Sequence, residues 1–225
     1  MSPARQRPDY IVVSPVDFAA LPGLDDWRYI TSSIAATFHA ASFSDAASLV
    51  QDIAAAADAA DHHPDIDLRY PGVVRVRLTT HDVRSVTVHD VGLASVISSL
   101  AAAAGAHASP TTAQSVEVAI DAVDASRILP FWKAVLDYVE RNGRLEDPRG
   151  VGPSLWFQEM DPPRAERSRT HIDVYVSDDE APERLAAALA AGGRLLTDAF
   201  APSWWVLADV EGNEACVCTW QGEFE

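Results

Sequence analysis

The stretch from Leu49 to Leu78 leaves little choice of fold, because its apolar period changes once, at a marked point. Leu49, Val50, Ile53, Ala54 and Ala57 recur at three- and four-residue spacing and form one face of a helix, capped by Ser42 or Ser44. Pro64 stops that helix. Beyond it, Ile66 to Tyr70 and Val73 to His81 read as two strands turning across Pro71-Gly72. In the second strand Val74, Val76 and Leu78 alternate against Arg75, Arg77, Thr79 and His81. The valines therefore face the helices, and His81 stands on the open, polar face.

The same stretch concentrates chemistry. His62 and His63 fall at the helix end, with Asp58 and Asp61 before them and Asp65 after. Histidine ordinarily titrates near pH 6.5, so it both takes and gives a proton close to neutrality. Two adjacent histidines and a third brought back by a strand point to an acid–base site. A lone histidine here would be a solvated turn. Asp58 and His62 are four apart and can share a helix face, where the carboxylate supplies a negative charge beside an imidazole.

Around this centre, Ser14-Pro15-Val16-Asp17 opens a short helix that Leu21-Pro22-Gly23 ends. Trp27 to Phe38 reads as two short strands around Thr31-Ser32-Ser33. Thr87-Val88-His89-Asp90 opens a third helix carrying Val91, Leu93, Ala94, Ile97 and Leu100. Thr87 with an acid three residues on forms a capping box, which gives Asp90 a structural use, and His89 reads as surface. Residues 105–115 are small, polar and Pro-containing, and read as a linker between domains at 1–104 and 116–225.

The second half carries a faint internal repeat. Glu117 to Asp124 is a strand followed by a helix, Ser126 to Tyr138; His171 to Asp178 is a strand followed by a helix, Ala181 to Ala191. Further strands follow each helix: Pro153 to Gln158 in the first unit, Trp204 to Ala208 and Ala215 to Thr219 in the second. The repeat implies a pseudo-twofold cup with Glu117 and His171 in equivalent positions. Trp132, Trp156, Trp204 and Trp205 read as core and cup lining, with Trp204 and Trp205 on opposite faces of their strand.

A net charge of −16 argues against nucleic acid and anionic membranes as partners. Cys216 and Cys218 are too few and too close for a disulfide framework and read as small buried thiols on one strand face. Arg5 and Arg7 precede only the short apolar run Ile11-Val12-Val13, unlike a signal peptide, and no stretch is long enough to span a membrane. The expectation is a cytoplasmic protein.

Asp58-x3-His62-His63-Pro64-x5-Tyr70, then His81, then Asp90, resembles pterin-4a-carbinolamine dehydratase, and the upstream Trp27, Ile34, Phe38 and Phe43 fit the same pattern over about residues 14–104. The family usually has nine residues between the Tyr and the third His. This chain has ten, which a one-residue longer turn at Pro71-Gly72 absorbs. The resemblance implies dehydration of a 4a-hydroxytetrahydropterin to the quinonoid dihydropterin without a metal. It carries His62, His63 and His81, with Asp58, as the catalytic group, and Asp65, Asp90 and Tyr70 as substrate contacts. Loss of water needs a base for the ring N–H proton and an acid for the departing hydroxide. Binding of a metal by the three histidines is the rival use, weakened because adjacent histidines at a helix end do not readily chelate one ion.

Pro130-Phe131-Trp132-x3-Leu136-Asp137-Tyr138, Arg169-Thr170-His171-Ile172-Asp173 and Asp209-x-Glu211-Gly212-Asn213-Glu214-Ala215-Cys216 resemble glyoxalase-like vicinal-oxygen-chelate domains over about residues 114–221. Metal-using members take a ligand from the first and last strand of each repeat, which match Glu117, Gln158, His171 and Glu214 here. Such an N/O set suits a divalent ion acting as a Lewis acid, although Gln is a weak ligand and Glu159 competes with Gln158.

The expected fold is α+β: an antiparallel sheet with helices on one face, then a paired βαβββ glyoxalase-like domain. The expected activity is a hydro-lyase acting on a small-molecule pterin, with no cofactor in the dehydratase and a divalent metal possible in the C-terminal domain. The alternatives are a metal-dependent glyoxalase- or dioxygenase-type enzyme working through the second half, and a non-catalytic ligand-binding protein. A homodimer fits both families.

Overall fold

The computed structural model describes residues 10–160, 171–176, 179–219 and 221. It separates into two units, Met1–Ser115 and Val116–Glu225.

In the first unit Ser14 caps α1 (Pro15–Ala19), and β1 (Arg28–Ile30) and β2 (Ser33–His39) follow as an antiparallel pair. Ser42, not Ser44, caps α2 (Phe43–Ala60), its hydroxyl accepting the Asp45 N–H at 3.1 Å. β3 (Asp65–Arg69) and β4 (Val73–Leu78) form the expected hairpin, and α3 (Val88–Ala103) follows. The sheet order is β1-β2-β4-β3. Ala46, Leu49, Ile53 and Ala57 of α2 and Leu93, Ala94, Ile97 and Ala101 of α3 are buried together with Ile34, Phe38, Val74, Val76, Leu78 and Trp27. Both helices thus cover one face of the sheet, and burying that apolar set is what holds the unit together.

Three local expectations change. Pro64 does not end α2: Asp61 does, in the left-handed conformation (φ 48°, ψ 38°), with the His62 N–H closing on the Ala57 carbonyl at 3.1 Å. Nor is the stretch 105–115 a free connector throughout. β1 covers only Ser33 to Ala35 on its edge of β2, and β5 (His107–Ala108) pairs with Phe38 and His39 farther along. Its backbone thereby satisfies groups β1 leaves open. Finally, β4 ends at Leu78, so His81 lies beyond the strand in a turn.

The hairpin loop is Tyr70-Pro71-Gly72, closed by the Arg69–Val73 pair. A side chain at Gly72 would meet the Ala40 and Ser42 carbonyl oxygens at 2.9 Å, so only glycine lets this turn sit against the β2–α2 connection.

The second unit contains βαβββ twice. The first copy is β6 (Glu117–Ala122), α4 (Ala125–Leu136), β7 (Val139–Arg141), β8 (Arg144–Glu146) and β9 (Ser154–Glu159). The second is β10 (Ile172–Tyr175), α5 (Ala181–Ala190), β11 (Arg194–Thr197), β12 (Trp204–Ala208) and β13 (Glu214–Cys218). Their sheets have the same order, β6-β9-β8-β7 and β10-β13-β12-β11, with first and last strands parallel neighbours. The Asp209 loop ties the copies together. Its buried carboxylate accepts the Trp132 indole N–H at 3.0 Å, and Glu211 accepts the Val123 and Asp124 N–H groups at 2.7 and 2.9 Å. Arg169, Thr170 and Asp178 lie outside the described residues. Among the described residues no helix is long and apolar enough to cross a membrane.

Candidate functional site

Asp90 is the centre of the first unit's polar cluster. It occupies the third position of α3, where a carboxylate completes the cap begun by Thr87. Its Oδ2 accepts the Thr87 N–H and the Thr80 hydroxyl, each at 2.7 Å, and its Oδ1 meets His62 Nε2 at 2.7 Å. The carboxylate is fully buried and the His62 side chain is 13% exposed. A carboxylate oxygen accepting at Nε2 would put the imidazole hydrogen on that nitrogen and leave the Nδ1 lone pair open. Asp90, expected as a substrate contact, is instead fully buried and turned to His62, Thr80 and Thr87.

Asp58 does not pair with His62 either. The left-handed residue at Asp61 turns the chain out of the helix, which breaks the four-residue relation and swings His62 toward α3. Asp58 Oδ1 meets His63 Nε2 at 3.0 Å instead, with both side chains exposed. His81 is exposed and follows Thr80, whose hydroxyl bonds Asp90, so it leaves the chain one residue from the buried dyad. The inside–outside alternation of β4 continues through buried Leu78 and Thr80 to exposed His81.

Asp65 lies next to this end of the sheet but is ion-paired across the strands to Arg77, Oδ2 to Nη2 at 3.0 Å. Tyr70 sits at the opposite end of β3, five residues from Asp65 or about 17 Å along an extended strand. At 87% exposure, it is not brought to the cluster within this chain. Conversely, His89 belongs to it: its ring lies 5.9 Å from that of His62, and Tyr10 stands edge-on to it at 6.0 Å. Adjacency to Asp90 was the available signal for His89; Tyr10 carried none.

The four expected metal positions of the second unit do not converge. Glu117 pairs in register with Ser154, accepts its hydroxyl at 3.2 Å and forms a salt bridge with Arg144. Gln158 pairs with Asp121, four residues farther along and roughly 13 Å away by strand rise. The β10–β13 register puts His171 beside Glu214 and Asp173 beside Cys216 on one face. His171, Asp173 and Cys216 present ligand atoms all within 4.8 Å of one another, a candidate metal cluster that includes only one expected ligand. Glu214 is buried on the same face but outside that mutual set. Burial pushes the Cys216 thiol up to about 12, helped by its hydrogen bond to Asp173. Trp204 stacks on Phe200 at 4.6 Å, while Trp205 packs on the core side, so the two do face opposite ways.

Residues 16–100 match the family described as pterin 4 alpha carbinolamine dehydratase, and residues 117–218 match the glyoxalase-like domain. A relative from Herpetosiphon aurantiacus, whose name places it among the pterin-4-alpha-carbinolamine dehydratases, is 41% identical over 85 residues, 38% of this chain and 88% of its own. One of the same name from Chloroflexus aurantiacus (strain ATCC 29366 / DSM 635 / J-10-fl) is 46% identical over 72 residues, 32% of this chain and 76% of its own. The crystal structure of a transcriptional coactivator/pterin dehydratase from Brucella melitensis is 28% identical, with a TM-score of 0.37, over 40% of this chain and 98% of that one.

Proposed function

The chain belongs to the pterin-4a-carbinolamine dehydratase family through its first half, with a glyoxalase-like domain behind it, and from that premise we propose that it eliminates water from a 4a-hydroxytetrahydropterin. The observation that carries the reading is the buried Asp90–His62 pair with His63 and His81 exposed beside it. Asp90 fixes the His62 tautomer, so that Nδ1 takes the ring N–H proton as general base. The electron pair left on nitrogen forms the C=N bond as the C4a–O bond breaks. The departing hydroxide takes a proton from a histidine acid, His63 or His81, and leaves as water. Proton count balances, since the base gains the one that the acid loses. The ten-residue spacing before His81 is compatible with this, because the three-residue loop holds the strand alternation intact.

The test is the dehydration rate with a chelator present, for the wild type and His62→Ala. Turnover that survives chelation and falls by about 10² or more in the variant supports the reading. A wild-type rate no faster than the spontaneous reaction ends it.

A second reading concerns the other domain, and the His171–Asp173–Cys216 set favours it. Imidazole, carboxylate and thiol together suit a zinc-like divalent ion better than the oxygen-rich set expected from the sequence. Those three residues would hold the ion, which would supply Lewis-acid chemistry when bound.

A further inference from the structure

The N-terminal segment Tyr10–Val13 runs against the start of α3. The Val88 N–H donates to the Ile11 carbonyl at 3.0 Å, the Val13 N–H donates to the Val86 carbonyl at 2.8 Å, and Val12 bridges to Thr87. Ile11 thereby satisfies one of the N–H groups that a helix start leaves without an internal partner. This addition delivers Tyr10 to a defined place. Its hydroxyl donates to Asp82 Oδ2 at 2.9 Å, its ring meets His89 edge-on at 6.0 Å, and the His89 ring lies 5.9 Å from His62. The hydrogen bond to Asp82 raises the phenol's pKa, with burial and the charges of Asp82 and Asp61 acting in the same direction. Tyr10 thus touches two chain neighbours of the cluster at once: Asp82, next to His81, and His89, next to Asp90.

We propose that Tyr10 is a substrate-positioning residue, its ring an aromatic wall on the far side of His89 from His62 and edge-on to His89, against which the flat bicyclic face of the pterin packs. The inference rests on the dehydratase reading for its ligand class and adds a wall that comes from outside the histidine motif. Ring-on-ring contact is sequence-tolerant and distance-sensitive, and a half-buried tyrosine held at its hydroxyl by Asp82 has little freedom to leave. His89, itself exposed, stands between that ring and the His62 imidazole, 5.9 Å from the latter.

The experiment compares Tyr10→Leu, which removes the ring, with Tyr10→Phe, which keeps the ring and loses only the Asp82 bond. Tyr10→Leu is expected to raise KM about tenfold, with kcat within about twofold, and Tyr10→Phe to leave KM within about threefold. An unchanged KM in Tyr10→Leu overturns the proposal, as does a loss confined to kcat. A matching fall in Tm and activity in both variants overturns it too, because it would assign Tyr10 to holding the strap. If the wild type shows no dehydratase turnover, calorimetric titration with 7,8-dihydropterin separates the two ideas. Weaker binding in Tyr10→Leu then supports the wall while the reaction assignment falls. Equal binding, or none by the wild type, overturns the wall.

Discussion

Replacing Asp90 by Asn tests the dyad at its buried member. Asp90 Oδ2 accepts from the Thr87 N–H and the Thr80 hydroxyl, and an amide oxygen can keep both bonds, at reduced strength. The new NH2 group then faces His62 Nε2 at the position of Oδ1, 2.7 Å away in the wild type. Two donors cannot share that contact. His62 must present its Nε2 lone pair and move its hydrogen to Nδ1, the nitrogen proposed as the base. Weakening two charge-assisted bonds in a buried site costs about 1–3 kcal/mol, so the Tm of the first unit should fall by roughly 5–15 °C. Loss of the correct tautomer should lower kcat by about 10²–10⁴ with a far smaller change in KM. The assay is dehydration of the 4a-carbinolamine followed beside a thermal melt, at a temperature where the variant is folded. A folded Asp90→Asn protein turning over within about threefold of wild type would refute the orienting role.

Two further outcomes follow from the second unit. Burial alone would raise the Asp147 carboxyl, but N–H bonds from Gly152, Arg149 and Val151 and the Arg149 guanidinium outweigh it and hold the group at about 2. Its folded-state value is thus below the unfolded one, so its contribution is present above about pH 4 and lost as pH falls toward about 2. Asp147→Asn should lower the unfolding midpoint near neutral pH by an amount that shrinks over that acid window; a difference independent of pH would contradict the linkage. Cys216, pushed up to about 12 by burial and then by Asp173, should resist a thiol reagent at about pH 8 in the folded protein. Cobalt(II) bound by His171, Asp173 and Cys216 should show near-ultraviolet thiolate-to-metal absorption that Cys216→Ser abolishes; binding without that band places the ion elsewhere.

Local chemistry made most elements readable. Ser14, Ser42 and the Thr87–Asp90 box announce helix starts because their side chains bond N–H groups within three residues, and each does so in the fold. Alternation located the β3–β4 hairpin for the same reason: one face is buried, and the period is two. The hairpin of β7 and β8 was missed although Asn142-Gly143, both at positive φ, signals its two-residue turn. Its strands are three residues each, too short for a periodic pattern.

The candidate site divides along the same line. The residue types of an acid–base cluster and the segment that bears them were fixed by the order of amino acids from Asp58 to Asp90. Partner choice was not. A single left-handed residue, Asp61, decides that His62 meets Asp90 and His63 meets Asp58, and a backbone angle of that kind has no periodic signature. Strand register decides that Glu117 meets Ser154 rather than Gln158, and that Cys216 lies beside Asp173. Tyr10 reaches the site only because a strand-like segment finds the Val88 N–H and the Val86 carbonyl open at a helix start nearly eighty residues away. Contacts between distant segments depend on hydrogen-bonding groups left over after local structure forms, and the tertiary fold alone brings those together.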